Sequence, residues 1–192
     1  MPATATLDRP QTSDDLDDVL DRAEAYFGHL PNLVRVLASN PAMCRTITDF
    51  LIQSLGPGRL DWGFKELVIL KTLRATGSHY SYGAHERIAA ELGVSTDKIG
   101  DVANSIWQTS DHFTDGERAI FVLVEQIDED ANAVSDDLWD ELRTHWDNGQ
   151  LLEANAVITT FLMIGRVGDA LGVSDPVLFE RPVEEVVAEA GA

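Results

Sequence analysis

Apolar positions recur at three- and four-residue spacing along nearly the whole chain, and the alternation expected of strands is almost absent. Between Asp14 and Phe27, the residues Leu16, Val19, Leu20, Ala23 and Phe27 share one side of a helix that Ser13 can cap. Pro31 and Pro41 stand where a first helical turn tolerates proline, with Asn40 as a cap for the second, and Gly56-Pro57-Gly58 ends that helix in a turn. Asp61 caps a strongly apolar helix through Leu67, Val68, Leu70 and Leu73. Gly77 interrupts the pattern, which resumes from Ser78 to Leu92 and stops at Gly93. Ser95 opens a short helix toward Trp107, and Thr114 with Glu117 spells a capping box for a helix to about Glu129. Ser135 opens another, through Leu138, Trp139 and Leu142.

The stretch Gln150 to Leu171 is apolar on more than one face (Leu152, Ala156, Ile158, Phe161, Leu162, Ile164, Val167). Such a helix lies at the centre of a core or against another subunit. Gly172 stops it and Pro176 follows. The pattern predicts an all-α, single-domain helical bundle over residues 13–175. A flexible segment, 1–12, precedes it, and a C-terminal arm, 176–192, with an acidic helix-prone end, follows.

Composition narrows the partners. A chain of 192 residues is long enough for one substantial core, and no apolar run approaches membrane-spanning length. Its 33 acidic and 14 basic residues give a net charge of −19, which repels phosphate backbones and anionic lipid heads. Nucleic acid and membrane are therefore not expected partners; a small-molecule substrate is. The acidic surface, with lysine only at 65, 71 and 98, fits either a high-salt habitat or simple solubility. Cys44 stands alone, which excludes an intramolecular disulfide, a CxxC redox pair and a multi-cysteine zinc site. The start MPATATLDRPQTSDD has neither a basic n-region nor a hydrophobic core, so a cytoplasmic location is expected. The tryptophans at 62, 107, 139 and 146 read as core or subunit-interface residues.

Candidate chemistry concentrates in GSHYSYGAH, residues 77–85. In a helix restarting at Ser78, that residue, Ser81 and His85 share one face, and Ser78 lies where free N–H groups favour an anion. Glu66 lies twelve residues before Ser78 in an otherwise apolar stretch; a hairpin at Gly77 would bring it to His85. A carboxylate paired with imidazole is general acid–base equipment, and Tyr80 and Tyr82 add phenol donors. The same residues also suit a capped helix start with a solvated histidine, and both readings stand at this point. His79 falls off the shared face, and His29, His112 and His145 fall near loops or amphipathic surfaces.

The spacing Glu66, Ser78, Ser81, His85 fits E-x(11)-C-x-x-C-x-x-x-H with serine at both cysteine positions. That pattern resembles the alkylhydroperoxidase D and carboxymuconolactone decarboxylase superfamily. The likeness extends over roughly residues 28 to 174 and includes LPNLVRVLASNPAM, GRLDWGFKELVILKT and VSDDLWDELRTHWDNGQLLEANAVITTFLMIGRVGDALGV.

The resemblance implies an all-helical fold assembling as a homo-oligomer (trimer, hexamer or dimer). It implies a proton relay at Glu66 and His85, with Ser81 at the peroxidatic position and Ser78 at the resolving one. Tyr80 matches a place held by histidine or tyrosine. A serine hydroxyl has no thiolate state and cannot cycle through sulfenic acid and disulfide. Either the chain is a cysteine-free member or serines replace a CHYC pair. One cysteine-free branch has tyrosine, acid, tryptophan and two histidines; there Ser81 departs at the acid and Tyr82 at the tryptophan. The expected function is non-redox acid–base chemistry of the decarboxylase or lactone type on a small carboxylate or carbonyl compound. Glu66, His85, Tyr80, Ser78 and Ser81 are its expected catalytic residues and Tyr82 contacts substrate. No cofactor is expected, and nothing in the spacing of Glu66, His79 and His85 is specific for a metal. The alternatives are an alkylhydroperoxidase of peroxiredoxin type that has lost its cysteines, residual peroxidase action through Cys44, and a non-catalytic helical binding protein.

Overall fold

Helix α4, Trp62–Ala75, runs through the middle of the molecule, and every residue from Trp62 to Leu73 is buried. The computed structural model describes residues 14–78 and 81–173; expectations for Ser13, His79, Tyr80 and the two ends of the chain fall outside the described residues. The other helices are α1 Asp14–Phe27, α2 Asn32–Leu37, α3 Pro41–Leu55, α5 Tyr82–Glu91, α6 Thr96–Ala103, α7 Asp115–Asp130, α8 Asp136–His145 and α9 Asn148–Leu171. Helices α5, α6, α7 and α9 pack around α4, while α1 and α2 lean on α3 and α8 on α7. The fold is all-α, as the pattern predicts.

The expected signals account for most helix starts. Asp61 Oδ1 accepts from Phe64 N at 2.9 Å, and the Asn40, Ser95 and Ser135 side chains cap α3, α6 and α8. Thr114 and Glu117 close both halves of a capping box on α7. The α1 stripe Leu16, Val19, Leu20, Ala23 and Phe27 is wholly buried, so its three-four spacing does mark the core face.

Four boundaries differ from the sequence reading. A second capping box, Asp147 with Gln150, starts α9 two residues early. Pro31 is the N-cap of α2 rather than a residue of its first turn. Helix α6 stops at Ala103, and Ser105 adopts a left-handed conformation, φ 58°, before Trp107. Most consequential is Gly77. Its φ of 66° lets Ser78 N donate to Leu73 O at 2.9 Å and Gly77 N to Arg74 O at 3.3 Å, the paired bonds of a Schellman stop. Helix α4 therefore ends there, and α5 starts only after Ser81.

Helix α9 also corrects the reading of apolar runs. By length and mean hydropathy it is apolar enough to cross a membrane, yet 56% of its 18-residue apolar window is buried inside the bundle, as in a core helix. Its inner face packs on α4, α3 and α7, while Leu152 and Met163 point outward.

Candidate active site

Glu66 occupies the second turn of α4 and His85 the first turn of α5, and the α4–α5 packing makes them neighbours. Both are fully buried, and Glu66 Oε2 lies 2.7 Å from His85 Nδ1. The hairpin at Gly77 thus brings together the two residues singled out by spacing. The other carboxylate oxygen, Oε1, accepts from the indole Nε1–H of Trp62 one turn earlier, at 3.2 Å. With both oxygens engaged the carboxylate cannot rotate freely, and its Oε2 is held toward the imidazole. The reading of Trp62 as a core or subunit-interface residue misses this contact; its i, i+4 spacing from Glu66 is the available signal.

Phe161 of α9 meets the His85 ring edge-on, with centroids 4.9 Å apart and planes at 88°. The imidazole is thus fixed by a carboxylate on one side and an aromatic ring on another. Its second nitrogen, Nε2, is buried and has no hydrogen-bond partner among the described residues.

Ser81 sits one helical turn before His85 at the N-cap of α5, with φ 48° and ψ 12°. Such a left-handed conformation is uncommon for a residue with a Cβ and costs on the order of 1–2 kcal/mol. The side chain makes no capping bond, and its buried Oγ has no partner among the described residues. Tyr82 is half-buried, and its phenol oxygen is likewise unpartnered. Burial, reinforced by the charge of Glu86 and opposed by that of Arg74, pushes the Tyr82 hydroxyl above its ordinary pKa, so it stays protonated and can donate.

Ser78 differs from expectation. It stands before α5, not at its first residue, and its N–H closes the α4 terminus on Leu73 O instead of facing an anion. Its side chain packs against Gly165 of α9; a Cβ built at Gly165 would come within 2.9 Å of Ser78 Oγ. Ser78, Ser81 and His85 therefore do not share one helical face, because the N–H of Ser78 closes α4 and α5 starts only at Tyr82. Tyr80 and His79 lie outside the described residues.

Cys44 lies in the α3 core, and burial pushes its thiol above the ordinary value against the weaker opposing influences of Thr48 and Arg45. His112 is half-exposed but not free: its Nδ1 is 2.7 Å from Asp101. Trp107 is buried, and Trp146 stacks on Phe64 at 5.4 Å. Among the described residues no three His, Cys, Asp or Glu side chains cluster to hold a metal ion.

With this geometry in hand, likeness to known proteins can be placed on it. Residues 41–126, the segment carrying Glu66, Ser81 and His85, match the carboxymuconolactone decarboxylase family. No curated protein matches the sequence. Among solved structures, a cysteine-to-alanine variant of the debrominase Bmp8 in complex with 2,3,4-tribromopyrrole has a TM-score of 0.71 at 20% identity, over 97% of this chain and 98% of its own. An alkylhydroperoxidase D core, a peroxidase-related protein from Ralstonia eutropha JMP134, has a TM-score of 0.73 at 19% identity, over 97% of this chain and 96% of its own. A peroxidase-related protein from Silicibacter sp. TM1040 has a TM-score of 0.73 at 16% identity, over 90% and 92%. At these identities the structural likeness is one of fold. Residues 41–126 thus resemble the carboxymuconolactone decarboxylase family, and the chain shares its fold with alkylhydroperoxidase D-like structures.

Proposed function

We propose that the chain is a non-redox acid–base enzyme acting on a small carboxylate or carbonyl compound, of the decarboxylase or lactone-processing type. The observation that carries this reading is the 2.7 Å contact between the fully buried Glu66 Oε2 and His85 Nδ1. In this reading Glu66 accepts from Nδ1–H, and Nε2 of the neutral imidazole offers its lone pair. Nε2 is then the base, removing a proton from a C–H or O–H beside a carbonyl and returning it to product. The neutral Tyr82 phenol, which burial keeps protonated, is a donor for the oxygen on which negative charge develops. The debrominase Bmp8, which shares this fold, was solved in complex with 2,3,4-tribromopyrrole, a small planar ring, which supports a small cyclic or conjugated substrate here.

The contact also speaks against a purely binding role, which needs no imidazole oriented by a carboxylate. Peroxidase chemistry finds no support in the side chains: serine hydroxyls stand at 78 and 81, and the buried Cys44 thiol is pushed away from ionisation. Small oxo-acids and γ-lactones incubated with the protein in D₂O test the proposal, with ¹H NMR following loss of the C–H signal beside the carbonyl. Wild-type protein accelerates exchange or decarboxylation of at least one compound, and Glu66→Gln and His85→Asn each lose about 10²-fold or more. Equal rates in wild type and both variants would remove the pair from the chemistry.

A further inference from the structure

We propose that Ser81 is a covalent nucleophile, and that Ser81, His85 and Glu66 form a serine–histidine–carboxylate set transferring the acyl group of a small ester or lactone to water. The inference rests on the acid–base reading of Glu66 and His85 and adds an activity to it. Three observations lead to it. First, Glu66 Oε2 engages His85 Nδ1 at 2.7 Å, so the ring has its orienting carboxylate. Second, Ser81 Oγ and His85 Nε2 are both buried and both unpartnered among the described residues, one helical turn apart on the same helix start. The backbone bond from His85 N to Ser81 O, 3.1 Å, fixes that spacing. Ser81 as N-cap and His85 in the first turn are thereby held one turn apart along the chain. Nucleophile and base are not bonded to each other here, and such contacts commonly tighten only when substrate is bound.

The third observation is the setting of Ser81. It precedes a ten-residue helix in a left-handed conformation, and its hydroxyl does not cap that helix. The N–H groups of Tyr82, Gly83 and Ala84 have no intrahelical partner, as at any helix start, and the unused cap leaves them unshielded by the serine oxygen. These donors, with the helix dipole, suit an oxyanion forming on a carbon attached to Ser81 Oγ. A capping serine would place its oxygen on those N–H groups; this one makes no bond to them.

The step balances without an oxidant or cofactor. Ser81 Oγ bonds to the carbonyl carbon while its proton passes to His85 Nε2, and the carbonyl oxygen takes the negative charge. Collapse of this intermediate breaks the bond to the alcohol oxygen, which receives the proton from Nε2. Water then attacks the acyl-serine, giving its proton to Nε2, and Ser81 leaves with that proton restored. The products are a carboxylic acid and an alcohol, or one hydroxy acid from a lactone.

4-Nitrophenyl acetate and a fluorophosphonate test this directly. The wild-type protein releases a burst of one 4-nitrophenolate per chain, and both reagents mark the tryptic peptide containing Ser81 by mass spectrometry. Ser81→Ala and Ser81→Gly each abolish burst and label; glycine keeps the left-handed backbone without strain, so loss in that variant cannot be charged to misfolding. Far-UV circular dichroism and thermal melting check both folds. A burst surviving in Ser81→Gly, or label on another residue, overturns the proposal. So does a wild-type protein that shows neither burst nor label while still exchanging C–H protons through His85, and that outcome leaves the acid–base reading standing. Loss of both reactions in His85→Asn, with burst and label lost in Ser81→Gly, supports both readings. Exchange and ester turnover both untouched in His85→Asn would sink both.

Discussion

Lys65 and Glu66 are consecutive residues of α4, both buried, both ionisable, and they lead opposite lives. Lys65 Nζ donates to Ser54 O at 3.2 Å, to Gly56 O, and to Glu153 Oε1 at 2.9 Å. Three donors meet three acceptors. Glu153 completes the arrangement, since its Oε2 accepts from Arg59 N at 2.6 Å and Leu60 N at 3.1 Å. That network ties the end of α3, the turn after it, α4 and α9 into one unit, and nothing in it is left over. Glu66, about 100° around the same helix, belongs to a chain of contacts from Trp62 to His85 that ends on an unpartnered nitrogen. A buried polar network that closes on itself holds the fold; one that stays open is available for chemistry. Burial and charge alone do not distinguish the two.

The largest expected effect breaks the closed side. Lys65→Met leaves two carbonyls and the Glu153 carboxylate without their cation, and stability falls by about 3–5 kcal/mol. Urea denaturation measures it, and a loss under about 1 kcal/mol would show that the closed network is not a staple. The comparison demands the reverse on the open side. Glu66→Gln keeps shape and one acceptor, so stability changes by less than about 1 kcal/mol while turnover drops about 10²-fold. A variant that loses both in proportion would make Glu66 a second Lys65.

Much of this was legible beforehand, and the failures have physical causes. Helix identity followed from spacing and caps: α1 buries one face at three-four spacing, and α3, α7 and α8 each start on a side-chain cap that the sequence marks. The Glu66–His85 pairing was legible from a family spacing. The shape of residues 77–81 was not. The pattern reads Gly77 as a break after which helix restarts at Ser78, whereas its positive φ closes α4 on the N–H of Ser78 and α5 starts only at Tyr82. The left-handed backbone of Ser81 has no sequence signal, since serine ordinarily enters a helix from extended geometry. Lys65 was noted only as a scarce charge, because its partners arrive from residues as distant as Glu153.

A smaller effect sharpens where the open site is bounded. Gly165 of α9 lies against Ser78, and the Cβ of Gly165→Ala would come within 2.9 Å of the serine oxygen and 3.2 Å of its Cβ. Neighbouring Leu73 Cδ2 stands at 3.3 Å, so the added methyl has little room to move into. The expected cost is about 1–3 kcal/mol, offset in part by the helix propensity of alanine. Because Phe161, one turn earlier, touches His85, the same change should also shift the His85 ring signals in an NMR spectrum. An unchanged melting temperature with unchanged ring signals would detach α9 from the site.

The smallest effect separates the buried histidine–carboxylate pair from its exposed counterpart. Asp101 Oδ2 accepts from Ser110 Oγ at 2.5 Å and lies 2.7 Å from His112 Nδ1, an arrangement of the same groups as Glu66 with His85 but at the surface. The Ser110 hydroxyl first, and His112 second, hold the Asp101 carboxyl below its ordinary pKa. A carboxyl with a lowered folded pKa stabilises the protein above the unfolded value, about 3.9, and that contribution disappears as pH falls through the folded value. Asp101→Asn should therefore be less stable than wild type at neutral pH, with the gap shrinking below about pH 4. Solvent screening keeps the gap small, and added salt should narrow it further. Ester turnover and C–H exchange should be unaffected, because this pair has no buried, unpartnered nitrogen to offer. Loss of either reaction in Asp101→Asn would mean that an exposed pair can do what the open-network argument reserves for the buried one.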